Sequence, residues 1–190
     1  MDTIVPVEFV EKKTLSGKII PLIFGAALLV LDQLTKFLVI TFIVPNSVGV
    51  SFFDGFIRII HVTNSGIAFS IGHSLSDSLR SMLFAFAPLA VLVVVLVIYF
   101  RSNEFTAFQR WAIAGMCGGG LGNLADRFFR KDGVVDFIDV KFFGIFGLDR
   151  WPTFNIADMT VLICGGMLLV SFIMAVKKET RQAGMDSERI

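Results

Sequence analysis

The sequence predicts an all-α integral membrane protein, a four-transmembrane-helix bundle, and three observations carry that prediction. Of the 190 residues, 55% are hydrophobic and the mean hydropathy is +0.77. Soluble domains usually hold about 45–50% apolar residues, so this chain is in excess. The excess is gathered into four blocks, each approaching the ~20 apolar residues that a helix needs to cross the hydrocarbon core. The aromatic content is also skewed toward lipid, with 21 Phe against two Trp and one Tyr.

The first block covers 19–43 and is interrupted by Asp32, Gln33 and Lys36. No small-residue cleavage site follows it, so a retained span is expected rather than a cleaved signal peptide. The second, 82–100, is almost unbroken, and the run Val91–Val95 suggests lipid contact. The third, 105–124, is rich in small residues, among them Ala112, Ala114, Gly115, Gly118, Gly119, Gly120 and Gly122. The fourth, 154–176, carries Gly165 and Gly166 near its middle. Small residues let helix backbones approach closely, so the third and fourth spans should form the packed interior of a single membrane domain.

An even number of spans puts both termini on one side. Lys12, Lys13 and Lys18 precede the first span, Arg101 and Arg110 flank the turn between the second and third, and Lys177, Lys178 and Arg181 follow the fourth. Positive residues stay inside, so cytoplasmic termini are expected. The segments 44–81 and 126–153 then lie outside. In the first, Ile57–Val62 is rich in β-branched residues and bounded by turn signals at Pro45–Asn46, Asp54–Gly55 and Asn64–Ser65–Gly66. That pattern reads as strand and turn.

Several function classes are excluded or disfavoured. A net charge of +1 provides no field for gathering nucleic acid. Cys117 and Cys164 lie in apolar stretches outside any CxxC setting and read as small core residues. His61 and His73 lie away from the acidic motifs, and no HExxH is present, so no metal site or cofactor is expected.

Polar residues at bilayer depth are costly and need a reason. Asp32 and Lys36, at i,i+4, share a helix face and can pair as structural support. Asn123, Asp126 and Arg127 share a face if the third helix persists that far; Asp126 reads as structural, Asn123 and Arg127 as facing a ligand. Asp136 sits in the strand-like run Val134-Val-Asp-Phe-Ile138, and Asp158 follows Asn155 by three residues at the start of the fourth span. If both segments return to one membrane face, the two acids can share a proton, as an aspartic peptidase requires. The competing reading makes Asp158 a helix-start residue favoured by the dipole and Asp136 a surface acid. Asp139 rivals Asp136, expected on the same side of that run if it is extended. Asn64, in Asn64-Ser-Gly-Ile-Ala-Phe69, is either a turn residue or an amide donor to an extended peptide.

Together these pieces resemble the lipoprotein signal peptidase family, signal peptidase II. The likeness runs through Asp32-Gln-Leu-Thr-Lys36, Asn64-Ser-Gly-Ile-Ala-Phe69, Gly119-Gly-Leu-Gly-Asn-Leu-Ala-Asp-Arg127, Val134-Val-Asp-Phe-Ile138 and Phe154-Asn-Ile-Ala-Asp158, five short motifs in order. The resemblance implies an aspartic endopeptidase of the bacterial inner membrane, working as a monomer without cofactor. Its substrates would be diacylglyceryl-modified prolipoproteins, cut just before the lipid-modified cysteine at a site near the outer leaflet. It implies Asp136 and Asp158 as the catalytic pair. Asn64, Asn123, Arg127 and Asn155 match positions that line the substrate pocket and touch the cyclic peptide inhibitor globomycin, while Asp32, Lys36 and Asp126 match structural positions. It further implies a small β-cradle on the membrane surface and a lid over the site. The polar N-terminal extension and the stretch Asp139–Thr153 depart from the family pattern. Two rivals compete with this reading. A proton-coupled carrier would string polar residues across the bilayer, and a non-catalytic assembly factor would tolerate Asp136→Asn.

Overall fold

The computed structural model describes residues 15–64 and 77–187. Residues 65–69 of the expected peptide-binding motif, the N-terminal extension before residue 15 and His73 lie outside the described residues. Four helices and four strands follow in the order α1 (Leu15–Phe42), β1 (Val48–Phe52), β2 (Ile57–Asn64), α2 (Asp77–Arg101), α3 (Ala107–Phe129), β3 (Val134–Ile145), β4 (Leu148–Arg150) and α4 (Ile156–Ser187).

Among the described residues, three stretches are long and apolar enough to cross a membrane: Ser16–Phe42, Met82–Arg101 and Ile156–Gln182. The expected fourth, α3, is 23 residues long but does not qualify on apolarity, because it carries Gln109, Arg110, Asn123, Asp126 and Arg127. Its packing supplies the reason. α3 lies against α1, α2 and α4, and twelve of its residues are buried. An interior helix presents its polar groups to other helices and needs no continuous lipid-facing surface. The outer helices show the reverse, with Val30 on α1, Val91 on α2 and Leu162 on α4 exposed.

Glycine sets two of the approaches to α3. A Cβ on Gly118 would collide with the Gly25 carbonyl of α1, and one on Gly122 would run into the Asp32 carboxylate and Ala157. Thr106 opens α3 with a reciprocal capping box, its hydroxyl accepting from the Gln109 backbone while the Gln109 side chain accepts from Thr106 N–H. Arg110 is buried beside this end, donating to the carbonyls of Tyr99 (3.2 Å) and Ser102 (3.0 Å). Those two bonds close the α2–α3 turn.

At the opposite end the strands form one antiparallel sheet in the order β1-β2-β3-β4. Asp54 and Gly55 take left-handed backbone between β1 and β2, as the turn signal there requires. The expected strand at Ile57–Val62 falls within β2. The unaligned stretch Asp139–Thr153 becomes the far half of β3, a turn, and β4. Val39 of α1 and Val135 and Phe137 of β3 form a buried cluster that seats the sheet on the bundle. After β4 the chain doubles back, and Phe154 bridges to Ile138 before α4 begins.

Candidate active site

That doubling back decides what faces what. The Phe154 carbonyl accepts from the backbone of Phe137 (3.1 Å) and Ile138 (2.8 Å), so the first residues of α4 lie beside β3. Asn155 caps α4, and Asp158 stands at its third helical position. Asp158 N–H donates to Asn155 Oδ1 (3.0 Å), while Asn155 N–H donates to Asp158 Oδ2 (3.1 Å). This reciprocal cap satisfies two otherwise orphaned donors and fixes the Asp158 carboxylate over the helix start.

From that position Asn155 also reaches β3. Its Nδ2 donates to Asp136 Oδ1 (2.7 Å) and lies 3.1 Å from Asn123 Oδ1 on α3. Asn64, at the end of β2, donates to the other Asp136 oxygen (3.2 Å). Asn123 donates to Asp158 Oδ1 (2.7 Å). Asp136 and Asp158 are thus joined through Asn155 and Asn123 into one hydrogen-bonded group, fed by β2, β3, α3 and α4. Asp136 is 3% exposed and Asn155 not at all. Burial pushes the Asp136 carboxyl up to about 6, and the neighbouring charge of Asp158 acts in the same direction; the bonds from Asn64 and Asn155 and the charge of Lys36 oppose it. Of the two acids, Asp136 is the one whose raised affinity lets it keep a proton in mildly acidic conditions.

Helix α3 persists to Phe129, so Asn123, Asp126 and Arg127 do share one helical stretch. Arg127 is half-buried within electrostatic reach of Asp158, Asp136 and Asp126, and its guanidinium makes no hydrogen bond or ion pair among the described residues.

A second group lies on the α1 side of Asn123. Lys36 is fully buried, with Nζ 2.9 Å from each of Asp32 Oδ2, Asp126 Oδ2 and Asn123 Oδ1. Asp32 Oδ1 accepts from the Ala157 backbone (2.9 Å), which ties α1 to the start of α4. Asp126 accepts from Val135 N–H (3.1 Å) and from Arg130 (2.8 Å), tying α3 to β3. Gln33 belongs here too, its amide donating to the Gly122 carbonyl (3.0 Å) and to Asp126 (3.1 Å). The sequence reading gave Gln33 no role. Its one available signal was an uncharged amide at bilayer depth, beside Asp32.

Asp139 stands apart from Asp136. Three positions separate them, and side chains alternate along a strand, so they project from opposite faces. The expectation that Asp139 shares a side with Asp136 is therefore corrected. Asp139 is held instead by Arg58 on β2 and Arg150 on β4, each 2.5 Å away. His61 is buried under the sheet, its Nδ1 2.8 Å from the Ile43 carbonyl. Cys117 and Cys164 are buried free thiols.

Comparison with known proteins gives this arrangement a lineage. The family described as signal peptidase (SPase) II matches residues 24–174. Similar chains include the lipoprotein signal peptidase of Treponema pallidum, 49% identical over 165 residues, covering 87% of this chain and 89% of that protein. The Treponema denticola lipoprotein signal peptidase is 44% identical over 162 residues (85% and 93% covered), and that of Borreliella burgdorferi 47% over 147 residues (77% and 84%). Two solved structures described as bacterial membrane enzymes superpose with TM-scores of 0.67 and 0.68, at 27% and 25% identity. They cover 83% and 86% of this chain, and 93% and 92% of their own. On sequence, fold and membrane-spanning helices together, this chain belongs to the signal peptidase II family and is a membrane peptidase.

Proposed function

We propose that this protein removes signal peptides from diacylglyceryl-modified prolipoproteins, cleaving before the lipid-modified cysteine with a water held between Asp136 and Asp158. The observation that carries the reading is the pair itself. One buried carboxyl has its proton affinity raised to about 6, beside a second acid held by a cap and an amide.

In the first step Asp158 takes a proton from water as the oxygen attacks the scissile carbonyl, and Asp136 gives its proton to the carbonyl oxygen. In the second, Asp158 passes its proton to the departing amide nitrogen as the C–N bond breaks, and the hydroxyl proton returns to Asp136. The pair ends as it began, with one shared proton. Arg127 is placed to bind a substrate carbonyl near the reacting centre, and Asn64 to hold the extended peptide. Asn123 and Asn155 border the same pocket and keep the two carboxyls in position. Asp32, Lys36 and Asp126 support the structure. The family resemblance extends to inhibition by globomycin and to a monomeric state.

The same reading makes α3 the fourth span, with both termini in the cytoplasm of a bacterium and the sheet at the outer face of its inner membrane. An acylated substrate stays in the bilayer and reaches such a site by lateral diffusion. A phosphatase fused in the β3–β4 turn should then be active and one fused after residue 187 silent; the opposite pattern would reverse the topology.

Chemistry is tested with the purified protein in lipid, given a diacylglyceryl-modified prolipoprotein beside the Asp136→Asn, Asp158→Asn and Asp139→Asn variants. The unmutated and Asp139→Asn proteins should cleave, and the other two should not. Full cleavage by Asp136→Asn or Asp158→Asn removes the dyad. No cleavage by the unmutated protein, where a known peptidase works, removes the enzyme reading.

A further inference from the structure

An apolar groove runs beside the candidate site, between α2 and α4. α2 packs on α3 but hardly touches α4, and α3 forms the floor of the gap. The resulting cavity, of about 570 Å³, is walled by residues such as Leu83, Leu92 and Val95 of α2, Met116 and Gly120 of α3, and Val161 of α4. Among the described residues, no charged side chain lines it. Its position relative to the carboxyl pair follows from helix spacing: Gly120 precedes Asn123 by three residues and Val161 follows Asp158 by three, so the groove starts one turn below the dyad's own shell. The Phe86–Phe128 ring contact, with centroids 5.7 Å apart, sets the first half of α2 beside the end of α3, on the dyad's side.

We infer that this groove seats one acyl chain of the substrate's diacylglyceryl group, an inference that rests on the peptidase reading above. From Leu83 to Val95 the α2 wall rises ~18 Å, close to the ~15 Å depth of one leaflet's hydrocarbon. A signal-peptide helix is the alternative occupant. A cylinder ~10 Å across over that length takes up roughly 1,400 Å³ and would lie across the mouth of this open groove rather than within it. An extended hydrocarbon chain is far narrower, and the apolar walls suit it.

The glycines of α3 supply a separate argument. At Gly118, Gly119 and Gly122 a Cβ would strike the backbone or side chains of α1 or α4. At Gly120 it would meet only Leu92 Cδ1, at an ordinary 3.9 Å. Helix packing therefore does not demand a glycine at 120. Its missing side chain instead leaves the groove floor clear.

Gly120→Leu tests this with little risk to folding, since leucine is the better helix former and its Cβ has room. Substrates carrying palmitoyl and butyryl chains on the same prolipoprotein are compared. For the palmitoyl substrate, KM should rise about tenfold with kcat little changed, the loss expected when about two buried methylenes lose their contacts. The butyryl substrate should be nearly indifferent. Equal effects on both substrates, or none on the palmitoyl one, overturn the groove while leaving the peptidase reading intact. Failure of the unmutated protein to cleave either substrate overturns both. A second readout needs no turnover: a photoactivatable group at the end of the substrate's palmitoyl chain, bound to Asp136→Asn protein, should label α2 around Leu92–Val95. Equal labelling by the same chain on a bulk phospholipid would make the groove a general lipid contact and overturn its assignment to substrate.

Discussion

Two acidic groups meet at Asn123, and they are built to opposite rules. In the one on the α1 side, Lys36 sits 2.9 Å from both Asp32 and Asp126, with Arg130 on the far oxygen of Asp126. In the other, Asp136 and Asp158 receive hydrogen bonds from asparagine side chains and backbone, with no cation in contact among the described residues. Neutralised charge at bilayer depth holds helices together and has no reason to react. Carboxyls stabilised only by amides remain ready to exchange a proton. On the proposed reading the difference separates structure from chemistry, and it disfavours the carrier reading: Asp32 and Lys36 are locked into contacts that a moving ion would have to break.

The largest expected effect isolates the Asp136–Asp158 group. Asp136→Asn and Asp158→Asn should each lower cleavage by at least roughly 10³-fold, the upper range for a lost general acid or base. Both proteins should stay folded by thermal unfolding in detergent. A fall in activity matched by a fall in melting temperature would place these acids with the structural group instead.

Next comes the Lys36 group, where stability should fail before chemistry does. Lys36→Met leaves Asp32 and Asp126 buried without their shared cation, a change that typically costs about 3–5 kcal/mol. Thermal unfolding should show a large loss that Asp32→Asn, added to the same protein, partly restores. An unchanged melting temperature would mean that the backbone donors at Ala157 and Val135 suffice for both carboxylates.

The pH response offers a finer contrast. Asp136 binds its proton more tightly when folded, at about 6, than at its ordinary 3.8. A raised carboxyl favours folding below its unfolded value, and that advantage disappears as pH climbs to the folded value. Stability should therefore fall between pH ~4 and ~6 by up to about 3 kcal/mol and then level off. Asp136→Asn removes this slope, so its melting temperature should gain on the unmutated protein as pH rises. The gain is trimmed because the new amide presents an N–H to Asn64 or Asn155. In the active protein, kcat/KM should decline as pH passes above about 6, where the pair loses its shared proton. A profile flat from pH 5 to 8 would contradict the shared-proton mechanism.

How much of this is legible in the sequence depends on how local each signal is. Hydropathy is local, so α1, α2 and α4 can be read directly. α3 is harder, because its neighbours excuse it from being apolar. The Asp54–Gly55 turn marks the first hairpin, but Phe143 near the end of β3 and Phe146 in the β3–β4 turn take left-handed backbone, which a phenylalanine does not announce. Within the site, the spacing of Asn155 and Asp158 shows as a helix start. What brings Asp136 to Asn155 is the Phe154–Ile138 bridge, and what ties Asp32 to Ala157 spans 125 residues. Neither contact has a sequence signature, and the five ordered motifs substituted for both.

Asp139 gives the smallest and most discriminating test, because it is as buried as Asp136 and lies only three residues on. Its partners set the expectation. Arg58 and Arg150 both contact it, and Arg150 also donates to the Gly55 carbonyl (3.1 Å), so Asp139 joins the two hairpins of the sheet. The guanidiniums are about one-third and one-quarter exposed, so solvent screens the charge that Asp139→Asn would leave behind. An amide oxygen can still accept from one of them. The loss should be about 1–2 kcal/mol, read as a modest drop in melting temperature with cleavage little changed. A collapse of activity in a protein that still melts near normal would mean that Asp139 reaches the substrate. The division between neutralised and proton-exchanging acids would then have to be redrawn around the sheet rather than around the start of α4.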